Sequence, residues 1–364
     1  MDLVTIITPI YNGEKYLMRY FAQIEAIGYI NLQIIIVNDG SKDKTSEIVK
    51  KYAEKDSRIE FIDKKTNEGV SSARNDALKI AKGKFCFFFD CDDTFSEQIV
   101  EKCVAKVKSD TDTVCYNYAS VRRNGSVSNH EFSYLKRQYK KEEILREVLP
   151  NSFGISITDL KGYLAGKRGV RQGKELNGPW RMMYSLEIIC RENIAFRKDL
   201  HVGEDTIFTN KYLAMAETIY TIDEPLYYLH NNDGSTIETY NLDANRMISG
   251  KLQLIKAKDE LSAELKENNM DTYELWGGEY ILSSVQIGFV LAKDKRLSFA
   301  KKCEALKYYH LNSLVIDQWN RIKVKDIITT RSIKAIPVFL LKINWIAITE
   351  WMLIVLCKMG FKIN

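Results

Sequence analysis

Phe85-Cys86-Phe87-Phe88-Phe89 runs straight into Asp90-Cys91-Asp92-Asp93. An unbroken apolar run of this length reads as a strand buried on both faces, the habit of a parallel sheet. In open α/β sheets, ligands sit at the carboxyl ends of the strands, where this acidic cluster falls. Three carboxylates so close together repel one another unless a cation neutralises them. A divalent ion with oxygen ligands does this, and Mg²⁺ or Mn²⁺ would bridge carboxylate and diphosphate. The competing reading is a helix cap, with Asp92 and Asp93 starting a helix that includes Ile99, Val100 and Val104.

Upstream, strand and helix patterns alternate. Val4 to Thr8 is a short buried strand ended by Pro9, and Tyr16, Leu17, Tyr20, Phe21, Ile24 and Ile27 follow at helical spacing up to Gly28. Gln33 to Val37 is a second strand, Asn38-Asp39-Gly40-Ser41 a turn, and Ile48, Val49, Tyr52 and Ala53 mark a helix capped by Asp43 or Thr45. Ile59 to Ile62 is a third strand, and Ser71 to Lys82 a third helix stopped by Gly83. This order predicts an α/β fold, a mostly parallel sheet flanked by helices. Thr8-Pro9-Ile10-Tyr11-Asn12, Asn38 to Ser41 and Asn67 to Asn75 then share one rim with the acidic cluster. An aromatic ring, an aspartate and an arginine gathered there are able to stack a base, read its edge and hold a phosphate.

The net charge of +5 over 364 residues is mild and speaks against a nucleic-acid binder. Seven cysteines form no CxxC pair or zinc-spaced cluster, so a reducing, cytosolic compartment is expected. Met1-Asp2 leads directly into a strand-like run without a signal-peptide pattern. No GxGxxG turn follows the first strand, which argues against a dinucleotide enzyme. Residues 121–178 are basic and weakly patterned, with a glycine-rich stretch at 166–178 that reads as a lid. Residues 243–330 read as helical, with Leu252, Ile255, Leu261 and Leu265 on one stripe. Ile336 to Cys357 is long enough to cross a bilayer, for which about 20 residues suffice. Lys342 and Glu350 within it would each cost about 2.5–3.5 kcal/mol on insertion. Lys342, Thr349 and Glu350 fall in one sector of a helical wheel, which favours a helix lying in the membrane plane with that sector toward water. Trp345 and Trp351 suit the headgroup level. The alternative is a buried helix of the C-terminal domain.

TPIYNGEKYL, IIIVNDGSKDKT, NEGVSSARN and GKFCFFFDCDD, in that order, resemble the nucleotide-binding half of the inverting family 2 glycosyltransferases, which have the GT-A fold. The resemblance implies that Pro9 and Tyr11, with Thr8 and Asn12, line the nucleoside pocket and that Asp39 reads the uracil edge. It places Asn67 and Arg74 near the base or diphosphate, Asp90 and Cys91 at the ribose or metal, and Asp92 and Asp93 at the metal. His201-Val202-Gly203-Glu204-Asp205 resembles the family's Glu-Asp segment at the head of a helix, so Asp205 matches the general base and Glu204 its neighbour. Gly178-Pro179-Trp180-Arg181-Met182 resembles the family's Trp-x-Lys stretch, with Met182 where lysine is usual. Trp180 is then a candidate floor for the donor sugar. His230 matches a metal- or phosphate-binding position and Ser235 a phosphate contact. The implied activity is transfer from a nucleotide sugar, with uridine diphosphate as the family's common carrier, to a glycan or lipid-linked acceptor with a divalent metal, at the inner face of a membrane. A non-catalytic scaffold of an envelope-polysaccharide assembly is the alternative. Domains are expected at 1–240, 241–332 and 333–364, the last a membrane-associating helix.

Overall fold

The computed structural model describes residues 1–131, 137–165, 178–230, 243–267, 272, 275–328 and 335–359. They form two compact units, Met1–Leu149 with Glu175–Asp233, and Pro150–Lys174 with Gly234–Asn364. The first unit opens with β1 (Val4–Ile10), α1 (Glu14–Ala26), β2 (Leu32–Asp39), α2 (Thr45–Ala53), β3 (Ile59–Lys64), α3 (Val70–Leu78) and β4 (Phe85–Phe88). β1 pairs in parallel with both β2 and β4, and β2 with β3. Every residue of β2 and β4 is buried, as the two-sided apolar runs require. Because these strands are parallel, their following turns converge on one edge.

β5 (Thr94–Phe95) comes next, so the acidic cluster leads into a strand and does not cap α4 (Ile99–Val104), whose N-cap is Gln98. The sheet then gains β6 (Asp112–Val121), β7 (Val127–His130), β8 (Gln138–Lys140), β9 (Met182–Ser185) and β10 (Thr218–His230), in the order β3-β2-β1-β4-β9-β6-β10-β5. β9 is antiparallel to both β4 and β6, while β10 runs parallel to β6. The fold is therefore the mixed but mostly parallel α/β arrangement expected. α5 (Ile157–Leu164) belongs to the second unit. The first unit resumes with α6 (Leu186–Arg191), started by the Ser185 hydroxyl accepting from the Ile188 N–H, and α7 (Glu204–Met215), buried on nearly every side.

Two glycines fix turns at the rim. Gly40 has φ +69°, and a Cβ there would lie 2.5 Å from the Thr66 carbonyl carbon. Gly203, the N-cap of α7, has φ 89°, a conformation costly for residues with a Cβ. It starts the helix so that Glu204 and Asp205 occupy the first turn.

The second unit is helical: α5, α8 (Ala244–Glu267), α9 (Gly277–Lys293), α10 (Phe299–His310), α11 (Ser313–Arg321), α12 (Ala335–Lys342) and α13 (Ile346–Lys358). Residues 150–165 join it instead of the sheet for a polar reason. The Lys258 ammonium, 2% exposed, donates to the Phe153 carbonyl at 2.7 Å and pairs with Glu279 at 2.6 Å, while the Glu279 N–H donates to the Ile155 carbonyl. The segment 336–357 is not one helix: Asn344, with φ 59°, breaks it between α12 and α13. Among the described residues no helix is long and apolar enough to cross a membrane. The wheel reading also fails for Thr349 and Glu350, which are fully buried. α13 packs its Ile346, Thr349, Glu350 and Leu353 inward, so the polar sector is the packed one.

Among the described residues Glu350 has no hydrogen-bond partner on either carboxylate oxygen, and burial pushes its pKa up to about 7 from 4.5, Lys302 opposing. The folded state thus favours the protonated acid, and stability falls as pH rises from the unfolded value through about 7. Glu350→Gln should match the parent near pH 5 and exceed it by about 3 kcal/mol near pH 8, the size of that shift. Urea unfolding at the two pH values reads this directly.

Candidate active site

The turns after β1 and β2 are laced together. The Asn12 N–H donates to the Ser41 hydroxyl, and the Asn12 side-chain carbonyl accepts from the Lys42 N–H, both at 2.8 Å. Gly13 N–H donates to the Thr45 hydroxyl at 2.9 Å, and Glu14 N–H to the Asp43 carboxylate at 3.0 Å. Asp43 thus cross-links the two turns and also accepts from the Thr45 N–H at 3.1 Å at the start of α2, whose N-cap residue is Lys44. On this plate Tyr11 is half exposed, with its ring open to the rim. Thr8 is fully buried and shares a hydrogen bond with the Tyr20 hydroxyl at 2.7 Å, so it anchors α1. Pro9 pairs in register with Val37, and β1 runs one residue past it to Ile10.

Asp39, at the end of β2, accepts from the N–H groups of Glu68 and Gly69, the latter at 2.7 Å, and pairs with Lys64 at 3.1 Å. Its carboxylate thereby shapes the 67–69 turn ahead of α3. Asn67, exposed, accepts from the Gly69 N–H in the same turn. Lys64 also lies 3.0 Å from Glu68 and 3.4 Å from Asp76. Sequence reading passed over it, since nothing local distinguishes one strand-end lysine from another.

Arg74 is the buried cation of the rim. Its guanidinium is 3.2 Å from Asp90 and 3.8 Å from Glu204, and it lies over the Phe196 ring at 5.1 Å. It therefore joins the acidic cluster after β4 to the acidic head of α7. The Glu204 pKa is pushed up to about 7 by burial first and then by Asp205, with Arg74 opposing. Asp205 is also raised by burial, again against Arg74. Its carboxylate accepts from the Thr206 N–H at 2.7 Å. Asp90 is raised by burial and by Asp92, with Arg74 pulling it back.

The rest of the cluster divides. Asp92 is half-buried at the rim, and the Arg19 guanidinium donates to its backbone carbonyl. Asp93, expected as a metal ligand, is 2% exposed and faces the sheet. One oxygen accepts from the Tyr227 hydroxyl at 2.8 Å and the other from the His230 N–H at 2.7 Å, so it fastens β10. Burial and its two acidic neighbours push its pKa up to about 8. The His230 Nε2 shares a hydrogen bond with the Thr94 hydroxyl at 3.0 Å, leaving Nδ1 as the ring nitrogen for any ligand. Burial and Arg19 lower its pKa, which keeps the ring neutral. Cys91 is buried beneath the β1–α1 turn, its sulfur 3.1 Å from where a Gly13 Cβ would stand, and acts as core. Trp180 stacks on Tyr227 at 4.8 Å and meets Tyr118 edge-on. Ser235 and residues 166–177 of the expected lid lie outside the described residues.

Among the described residues no three acidic, cysteine or histidine groups are arranged to hold a metal ion. Asp90 and Asp92 nevertheless suit an ion that takes its other ligands from phosphate and water, as Mg²⁺ commonly does. Their mutual repulsion, which helps raise Asp90, is what such an ion would relieve.

Besides Lys64, Tyr227 and Asn75 have roles in the site that the sequence did not announce. The Tyr227 hydroxyl accepts from the Asp90 N–H at 3.1 Å while donating to Asp93, so one phenol holds both ends of the acidic turn. Asn75 donates to the Phe196 carbonyl at 2.8 Å and accepts from the Phe196 N–H at 2.9 Å. Phe196 in turn stacks on Phe208 of α7 at 3.9 Å.

Parallel strands ending in a rim where carboxylates gather around one arginine make this an α/β protein of the GT-A type. The model for glycosyl transferase family 2 matches residues 5–165. The glycosyltransferase GlyG of Streptococcus pneumoniae serotype 4 is 30% identical over 247 residues, 65% of this chain and 74% of GlyG. The uncharacterized glycosyltransferase EpsJ of Bacillus subtilis is 28% identical over 242 residues, and the chain spans 64% of its length. Residues 1–349 of S. aureus TarS, solved in complex with UDP-GlcNAc, share the fold with a TM-score of 0.57 at 16% identity, covering 100% of this chain and 93% of that one. The chain belongs to glycosyl transferase family 2.

Asn75→Ala deletes both bonds to Phe196 and should cost about 1–3 kcal/mol of stability. Asn75→Asp, which keeps the acceptor and loses the donor, should fall between it and the parent in denaturant unfolding.

Proposed function

We propose that the chain moves a sugar from a uridine diphosphate sugar to a hydroxyl of a glycan or lipid-linked acceptor in cell-surface polysaccharide synthesis, inverting the anomeric carbon in a single displacement. The observation that carries this reading is Arg74, 3.2 Å from Asp90 and 3.8 Å from Glu204. One cation there serves a donor-side carboxylate and an acceptor-side pair, the two halves that an in-line transfer must bring together.

In this mechanism the exposed Tyr11 ring floors the base, and Pro9 and Asn12 hold the turn that presents it. Asp39 shapes the turn bordering the base edge, with Asn67 beside it. Asp90 meets the ribose side and Trp180 backs the sugar. Asp205 takes the proton of the acceptor hydroxyl as that oxygen attacks, and Glu204 beside it sets the local charge. Arg74 offsets the charge that grows on the departing diphosphate. A Mn²⁺ or Mg²⁺ ion held by Asp92 with Asp90 would add charge neutralisation on the diphosphate. The UDP-GlcNAc carried by TarS supports a UDP-linked donor. We place the reaction at the inner face of the cell membrane, with the chain held peripherally through its C-terminal helices.

Two measurements test this reading. Calorimetry should show UDP binding that needs Mn²⁺, is abolished by EDTA and is lost in Asp92→Ala, while Asp205→Asn binds UDP normally and transfers no sugar. Near-normal transfer by Asp205→Asn removes it as the base, and a folded protein that ignores UDP removes the donor assignment.

The pH profile supplies the second. The base acts unprotonated, and burial holds Asp205 above the ordinary carboxylate range, so sugar transfer should fall as pH drops, with a midpoint above that of a free aspartate. Arg74→Leu removes the cation that opposes that rise, and the midpoint should move to higher pH. A midpoint unmoved by the substitution would mean that another group sets the limb.

A further inference from the structure

The last helix carries a surface that sugar transfer does not use. In α13, Ile346, Thr349, Glu350 and Leu353 face inward. Successive helical residues turn by about 100°, so the inward set fixes the outward one. Ile348, Trp351 and Met359 lie there, 47%, 61% and 69% exposed. The half-buried Val355 shares their stripe, and Met352 borders it. Trp345, just before the helix, is also more than half exposed. Ala347 and Lys358 flank the stripe, both exposed. The outward face is thus apolar along its length and carries no carboxylate, because the one acid of α13, Glu350, is turned inward. Its charged neighbour is a cation.

We propose that this outward face of α13, with Trp345 at its head, is the surface by which the chain rests on an anionic phospholipid bilayer. The inference builds on the membrane placement proposed above and names the face that makes the contact. It is the face opposite the polar sector of Thr349 and Glu350, and that sector packs against protein where the sequence pattern turned it to water. Three features favour lipid as the occupant. Indole rings combine an apolar body with an N–H and favour the headgroup boundary. A lysine at the margin, with no acid on the face, complements anionic headgroups. The 13 residues of α13 span only about 20 Å, short of a hydrocarbon core of about 30 Å, so the helix lies along the membrane and does not cross it.

The test is flotation of the full chain with phosphatidylcholine vesicles, with and without phosphatidylglycerol. The parent should float with the phosphatidylglycerol vesicles, release in high salt, and show a blue shift of tryptophan emission on binding. Ile348→Ser with Trp351→Ser should weaken binding about tenfold or more, with the melting curve and UDP binding unchanged. Lys358→Glu, which leaves the apolar stripe intact, should weaken it by a smaller factor. If the parent floats and the double variant floats equally well, the membrane placement survives and this face is wrong. If the parent never floats, both fall. If the parent instead self-associates in solution through these residues, the face is a contact between copies and the lipid assignment is overturned.

Discussion

Five carboxyl groups crowd one end of the sheet, and Arg74 is the buried cation set among them. Asp90, Asp92 and Asp93 arrive after β4, while Glu204 and Asp205 arrive at the head of α7. Left alone, each group would raise the pKa of the others and drive them toward the neutral form. The arginine opposes that rise for Asp90, Glu204 and Asp205. A guanidinium suits the task because it stays charged when buried and can face two acids at once. The other rim contacts hold this arrangement in place. The Asn75–Phe196 bonds bring the segment ahead of α7 to α3, and Tyr227 ties the acidic turn to β10.

The site therefore lies between two kinds of structure. Its nucleotide side is built from consecutive β-α turns, where sequence neighbours are neighbours in space. Its other side depends on strands that pair across the sheet, with β10 lying beside β6 and against β5. This division explains which features are legible in the sequence. The strands, the shared rim and the Asp90 to Asp93 cluster were legible because they rest on local periodicity and turn chemistry. Arg74 and the Glu204-Asp205 pair were visible through the family resemblance, although their contact was not.

What escaped reading was long-range or one-sided. Asn75 and Phe196 are 121 residues apart, and no pattern near Asn75 announces its partner. Tyr227 reads as an aromatic in an apolar strand until the pairing of β10 aims its hydroxyl at the acidic turn. Asp93 looks like its neighbours, yet the alternation of the chain sends it inward, where it serves β10. The C-terminal segment shows the limit of a helical wheel, which groups residues on a face but does not say which face packs. Burial of Glu350 decided the matter against the usual preference for acids outside.

The lacing of the two turns has an evolutionary meaning. Asn12, Gly13 and Glu14 reach across to residues 41–45, so the turns after β1 and β2 form one braced plate. Its rigidity comes from a stretch of chain separate in sequence from Trp180 and from the head of α7. In the proposed mechanism, a lineage can thus reshape the segments that meet sugar and acceptor while inheriting the same nucleotide floor. New linkages can arise in this way without a new carrier, and divergence of product need not await divergence of the activated currency the cell already makes.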